Sequence, residues 1–102
     1  MEIIVDNKKI SAKKVNDYES AWRITDALDV FEYMFFSNQI ILGGDILTKE
    51  MKRNYDNWFF NIDRSVSRHH NLVKSYITAL DYIKRYMSKN GEDFYVVIVV
   101  DN

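Results

Sequence analysis

The sequence predicts an α+β fold in which two long helices pack on a mainly antiparallel sheet, and three observations support this prediction. The 102 residues suffice for one hydrophobic core. A composition that is 47% hydrophobic and 15% aromatic excludes a disordered chain. Two segments have helical spacing of apolar residues, and short apolar segments between turn residues surround them. We therefore predict one domain over residues 1–102 with the order β-β-α-β-β-α-β.

The first two predicted strands form a hairpin. They are Ile3-Ile4-Val5 and Lys8-Lys9-Ile10, and Asp6 and Asn7 lie between them. Asp and Asn tolerate the positive φ that a two-residue hairpin turn requires.

Residues 17–37 are predicted to form the first long helix. Asp17 is suited to cap its start, and Asn38 to end it. The apolar residues recur at the 3/4 spacing of one helix face: Ala21, Ile24, Ala27, Leu28, Phe31, Met34 and Phe35.

Two strands are predicted between the helices. The first, residues 40–47, is interrupted by Gly43 and Gly44, and glycine inside a strand indicates a bulge or the close approach of another backbone. A polar connection over residues 48–54 follows. The aromatic segment Trp58-Phe59-Phe60 then suits a neighbouring antiparallel strand.

The second long helix is predicted from Ser65 to Lys89, and a strand follows it from Phe94 to Val100. Gly91 takes the position after the helix, where glycine is favoured. Because the strand is apolar at both parities, we expect it to be central in the sheet or covered on both faces. The apolar side of the helix is predicted to carry Val66, Val73, Tyr76, Leu80, Ile83 and Met87.

The residue types do not favour an enzyme. The chain has no cysteine, and it contains neither a nucleophile elbow nor a phosphate-binding loop. His69 and His70 are adjacent, so their side chains point about 100° apart on a helix and do not chelate one metal together. We predict that they lie in the core or at its boundary. No cofactor and no metal are expected.

The expected compartment is the cytoplasm. No apolar run approaches the roughly 18 residues that span a membrane, and no secretory signal is visible. A reduced compartment also agrees with the lack of cysteine. We therefore expect no membrane partner.

The first predicted helix carries a second stripe opposite its apolar face. The stripe consists of Trp22, Asp26, Asp29, Tyr33 and Phe36, at helical spacing, and Glu19 and Glu32 border it. Aromatic residues ringed by polar groups are typical of binding surfaces. The alternative is that loops or the 48–56 connection cover the stripe.

Asp45, after the two glycines, has two interpretations. Its carboxylate either bonds to nearby backbone or is presented as a contact residue.

Three segments resemble small bacterial immunity proteins of polymorphic-toxin and contact-dependent growth inhibition systems. They are residues 40–47, Asn57-Trp58-Phe59-Phe60 and residues 75–83, and the resemblance covers about residues 20–85. It implies a non-enzymatic cytoplasmic protein that binds one cognate toxin domain, often a nuclease, and covers its active site. The net charge of −1 departs from the strongly acidic immunity proteins that mimic nucleic acid.

The alternative is a small nucleic-acid-associated or regulatory domain. Residues 51–91 carry eight basic residues against Asp56, Asp63 and Asp81, many of them on the second predicted helix. However, the pI is near 6.1 and no glycine-flanked aromatic RNA-binding motif appears, so direct nucleic-acid binding is not expected. The pattern does not predict an oligomeric state.

Overall fold

A computed structural model describes residues 1–102 and contains seven strands, two α-helices and one 3₁₀ turn. The chain order is β1 (Glu2–Val5), β2 (Lys8–Ser11), β3 (Lys13–Lys14), β4 (Ser20–Arg23), the 3₁₀ turn (Ile24–Asp26), α1 (Ala27–Phe36), β5 (Ile40–Thr48), β6 (Arg53–Phe59), α2 (Arg68–Asn90) and β7 (Phe94–Asp101).

Five strands form an antiparallel sheet in the order β3-β4-β7-β5-β6. The strand β7 is central: it pairs with β4 through Ala21↔Val97 and with β5 through Ile46↔Val96. The prediction that the apolar segment after the second helix is central in the sheet is confirmed.

The separate hairpin β1–β2 has the turn that its sequence predicts. Asp6 and Asn7 have φ angles of 51° and 64°, the positive values that a two-residue turn of this kind requires. Alternation along the strands buries Ile3, Val5 and Ile10 in the core that they share with α1. The hairpin is thereby held against the helix layer.

Both helices cover the same face of the five-stranded sheet. The core between them contains Phe31 of α1 and Trp58 of β6 in edge-to-face contact, with ring centroids 5.8 Å apart. The Tyr82 ring of α2 stacks on the Trp58 ring, with centroids 5.0 Å apart. We call the side of the sheet away from the helices its outer face; it buries a smaller cluster of Ala21, Leu47, Tyr95 and Val97.

The helix α2 spans nearly the predicted residues, but the side that it buries differs from the predicted apolar side. Ser67 caps its start by accepting a hydrogen bond from the amide of His70. Val66 lies outside the helix and is exposed, whereas Val73 and Tyr76 are only half-buried. The side that faces the core carries Asn71, Leu72, Ser75, Ala79, Ile83 and Tyr86.

The prediction of one helix over residues 17–37 is wrong at its start. Residues 20–23 form β4, and α1 begins only at Ala27. Trp22 and Ala21 are both buried, on opposite sides of the strand, because β4 pairs with β7. Asp17 caps no helix; it is exposed and pairs with Lys14 at 3.7 Å. Two additional strands, β3 and β4, therefore precede the first helix.

The two glycines of β5 allow close backbone packing, as their place in a strand predicts. The register between β5 and β7 shifts between Ile41 and Gly43, where φ is +147°. At Gly44 an added Cβ would lie 2.5 Å from the carbonyl oxygen of Val97 and 2.6 Å from Cη2 of Trp58. Gly44 thus makes room for the Trp58 ring.

Neither helix has the length and apolar character that a membrane crossing requires.

Candidate partner-binding surface

The exposed side of α1 and of the turn before it gathers five of the residues that the sequence predicts to bind a partner. The opposite side of the helix is buried through Ala27, Val30, Phe31 and Met34, which fixes the direction of the exposed side. We call the exposed set the α1 surface: Asp26, Asp29, Glu32, Tyr33 and Phe36.

Phe36 is the most exposed member of the α1 surface. Its side chain is 76% exposed, near the end of the helix, whereas Asp26, Asp29, Glu32 and Tyr33 are half-buried. A large apolar side chain that is left in water beside carboxylates is the pattern of a hydrophobic contact with a polar rim.

Trp22 does not belong to this surface, contrary to the prediction. It lies on β4 rather than on a helix, and it is only 3% exposed. Its side of the strand faces the core beneath the helices, where Val96 of β7 is its cross-strand partner. A residue so placed contributes to the stability of the fold and presents nothing to a partner.

Lys8 of the hairpin forms ion pairs with the α1 surface. Its Nζ atom lies 3.3 Å from Oδ2 of Asp29 and 4.0 Å from Oδ1 of Asp26. Pairs this exposed contribute at most about 1 kcal/mol to stability. Their main consequence is electrostatic, since one lysine partly neutralises two carboxylates. Glu32 forms no ion pair.

A groove of about 230 Å³ lies between the hairpin and α1. No pattern in the sequence predicts a site on the hairpin. One feature could have indicated a site there, namely Ile4. It alternates with the buried Ile3 and Val5 along β1, so its side chain points away from the core and is 69% exposed. The groove is lined by Ile4, Val5, Asp6, Glu32, Tyr33 and Phe36.

Asp45 lies on the outer face and is therefore separate from the α1 surface. The guanidinium of Arg53 donates to Asp45 and to Glu19, at 2.8 Å in each case. A hydrogen bond from Asn16 and then those from Arg53 hold the pKa of Glu19 below its usual value. Asp45 is thus bonded to a side chain rather than to nearby backbone, and its role in binding stays a prediction.

The outer face carries a second exposed apolar area next to Asp45. Phe59 is 73% exposed and Val99 is 49% exposed, and a depression of about 430 Å³ that includes Gly43 lies between them. The aromatic segment of the sequence thus divides between the two faces, because Trp58 points into the core while Phe59 points to solvent.

A bulge in β6 is held in place by Tyr86 of α2. The Tyr86 hydroxyl donates to Oδ2 of Asp56 at 2.7 Å and accepts from Nδ2 of Asn54 at 2.8 Å. Burial, and then the hydrogen bond to Asp56, raises the pKa of Tyr86 to about 12. Between the two partners lies Tyr55, which has a φ of 69°, a left-handed value that is uncommon for an aromatic residue.

The prediction that His69 and His70 lie in the core or at its boundary is wrong. Both are exposed in the first turn of α2, because the buried side of that helix begins at Asn71. The basic residues of α2 that the alternative function requires are also exposed. Lys74, Lys84 and Lys89 form no ion pair, whereas Arg85 pairs with Asp81 at 3.1 Å.

Residues 11–100 match the family model described as Immunity protein 40 (Imm40). Neither the curated proteins nor the solved structures contain a significant match.

Proposed function

Because the chain belongs to the Immunity protein 40 family and so is an immunity protein of a toxin system, we propose that it neutralises a nuclease toxin by covering its active site. The match extends over most of the chain and includes both helices and the strands of the five-stranded sheet, with β7 up to Val100. It supports the resemblance drawn from residues 40–47, 57–60 and 75–83. The partner is then a protein, the cognate toxin domain.

We place the contact with the toxin on the α1 surface. The single observation that carries this assignment is the 76% exposure of Phe36 on a helix whose exposed side also carries Asp29 and Glu32. Aromatic residues supply much of the energy at protein interfaces, and surrounding polar groups exclude water from them. A short helix packed on a sheet presents such residues with little loss of conformational freedom on binding.

A nuclease fits this surface because nuclease active sites hold phosphates with Lys and Arg. Carboxylates on α1 would complement that positive charge and speed the encounter. The net charge of only −1 argues for a local acidic surface rather than mimicry of nucleic acid by the whole molecule.

The proposed setting is the cytoplasm of a cell that has a polymorphic-toxin or contact-dependent growth inhibition system. There the chain would bind the toxin domain before nucleic acid is cut. Binding of nucleic acid by the basic residues of α2 remains the alternative, and the same experiment tests it.

The experiment uses the toxin domain encoded next to this chain's gene. We expect growth arrest when that domain is expressed alone, and normal growth when this chain is expressed with it. In vitro, the chain should abolish cleavage of a DNA or RNA substrate, and a non-cleavable oligonucleotide should compete with the chain for the toxin.

Three outcomes would contradict parts of the proposal. Growth arrest that persists with both proteins present would overturn neutralisation. A ternary complex of toxin, chain and oligonucleotide would overturn active-site coverage. Tight binding of the oligonucleotide to the chain alone would favour the nucleic-acid alternative.

A further inference from the structure

We propose that the groove between the β1–β2 hairpin and α1 is the anchoring subsite for the toxin, and that it takes an apolar side chain flanked by lysine or arginine. This inference rests on the proposed function and deepens it. The hairpin, to which neither the sequence nor the family match assigns a role, becomes half of the interface.

The lining of the groove favours an apolar side chain at its centre. Ile4 and Phe36 stand on its two walls, both more than two thirds exposed, and Tyr33 lies beside them. The cavity of about 230 Å³ has room for one large aliphatic or aromatic side chain. Filling it would remove two large apolar side chains from water in one contact.

The charges around the groove identify the chemistry on either side of that apolar group. Asp6 on the hairpin and Glu32 on α1 line the groove, and neither forms an ion pair. No basic residue lines it. Two carboxylates on opposite walls complement cations that flank an apolar residue of the partner.

Lys8 acts as an internal substitute for one of the partner's cations. Lys8 lies next to the groove. Its Nζ atom already pairs with the carboxylate of Asp29 at 3.3 Å and with that of Asp26 at 4.0 Å. Four carboxylates lie on or beside the groove: Asp6, Asp26, Asp29 and Glu32. Lys8 is the one basic residue that pairs with any of them, so the local charge is −3. Removing Lys8 would make the surface more negative where a basic partner approaches.

The experiment measures binding kinetics of the purified chain against the toxin domain encoded next to its gene. The variants are Ile4→Ser, Asp6→Asn and Lys8→Met. Asn is as suitable as Asp in a turn with positive φ, so Asp6→Asn removes the charge and keeps the hairpin. The matched controls make the same charge changes outside the lining of the groove: Asp93→Asn and Lys49→Met. Both residues are exposed and form no ion pair.

We expect Ile4→Ser to weaken binding roughly tenfold, through faster dissociation. Asp6→Asn should slow association about two- to threefold, and Lys8→Met should speed it by a similar factor, at low salt. The controls should change the rates less than their counterparts.

The outcomes separate this inference from the function on which it rests. If the wild-type chain protects cells and binds the toxin while Ile4→Ser and Asp6→Asn bind like wild type, the groove is not the subsite, but neutralisation stands. If Lys8→Met slows association, the idea that Lys8 substitutes for a partner cation is overturned. If the wild-type chain does not bind the toxin domain, both proposals fail.

Discussion

Phe36 and Phe59 are exposed almost equally, at 76% and 73%, on opposite sides of the sheet. Phe36 ends the helix α1, in the layer that covers one face, and Phe59 projects from β6 on the outer face. Because the residue type and exposure match, substituting each of the two phenylalanines tests which side of the molecule binds the toxin.

Phe36→Ala should weaken binding to the toxin domain, whereas Phe59→Ala should not. An aromatic anchor is worth at least about 2 kcal/mol, so the loss should be roughly thirtyfold or more. Titration calorimetry or surface binding measures it, after circular dichroism shows that both variants keep the wild-type fold. The reverse result, with Phe59→Ala the weaker binder, would move the interface to the outer face beside Asp45.

Charge reversal at Asp26 and Asp29 together should mainly slow association. Both carboxylates belong to the α1 surface, and their field steers a basic partner over about one Debye length. We expect roughly a tenfold slower association rate at low salt and a smaller effect at high salt. The control reverses Asp17 and Glu50, which are exposed in loops and lie outside α1 and the turn before it. Equal slowing by the control pair would mean that only net charge matters.

Gly44→Ala should destabilise the fold by more than about 2 kcal/mol. The new Cβ would lie 2.5 Å from the Val97 carbonyl oxygen and would press on the Trp58 ring, so β5, β7 or the core has to shift. Gly91→Ala is the comparison, because no atom lies within 4 Å of its Cβ and only backbone strain at a φ of 89° opposes it. Urea unfolding measures both free energies. If Gly44→Ala lowers the free energy of unfolding less than Gly91→Ala does, the sheet adjusts to the extra Cβ at little energetic cost, contrary to this prediction.

The free energy of unfolding should fall as the pH rises from about 10 to about 12, in part because of Tyr86. Its pKa is raised to about 12 in the folded protein from an ordinary value of 10.0, so in this range the unfolded chain loses a proton that the folded protein keeps. The linked loss is roughly 2 to 3 kcal/mol. Below about pH 10, the pKa of tyrosine in the unfolded chain, the contribution of Tyr86 to the free energy of unfolding is fully present.

Tyr86→Phe should therefore flatten the alkaline part of the stability curve while costing stability at pH 7, since Asp56 and Asn54 lose their partner. Urea unfolding at several pH values between 7 and 11 checks this. A variant curve parallel to that of the wild type would show that other groups cause the alkaline loss.

The sequence predicted correctly those features that depend on the backbone preferences of a few neighbouring residues. The hairpin turn at Asp6 and Asn7, the strand interrupted by Gly43, and the end of α2 before Gly91 all depend on backbone preferences of single residues. The apolar run after α2 also predicted a central strand, and residues 95–97 of β7 are buried on both faces of the sheet.

The start of the first helix was not predictable in this way. The spacing of Ala21, Ile24 and Ala27 fits one helix face, but Ala21 belongs to a strand that pairs with Val97, far along the chain. Only that long-range pairing distinguishes β4 from a helical turn. Extending the helix over this segment also placed Trp22 on the predicted binding stripe, whereas Asp26, Asp29, Glu32, Tyr33 and Phe36 kept their positions because the helical spacing holds there.

The central position of β7 links the proposed binding surface to amides that lie outside it. The helix α1 lies in the connection between β4 and β5, and these two strands meet only through β7. If β7 opens, both ends of that connection lose their common neighbour. A toxin that binds only the folded α1 surface lowers the population of every such open state. The factor is one plus the toxin concentration divided by its dissociation constant. Hydrogen exchange at Val96 and Val97 should then slow when the toxin binds, so that protection of a buried strand reports on an encounter at the helix.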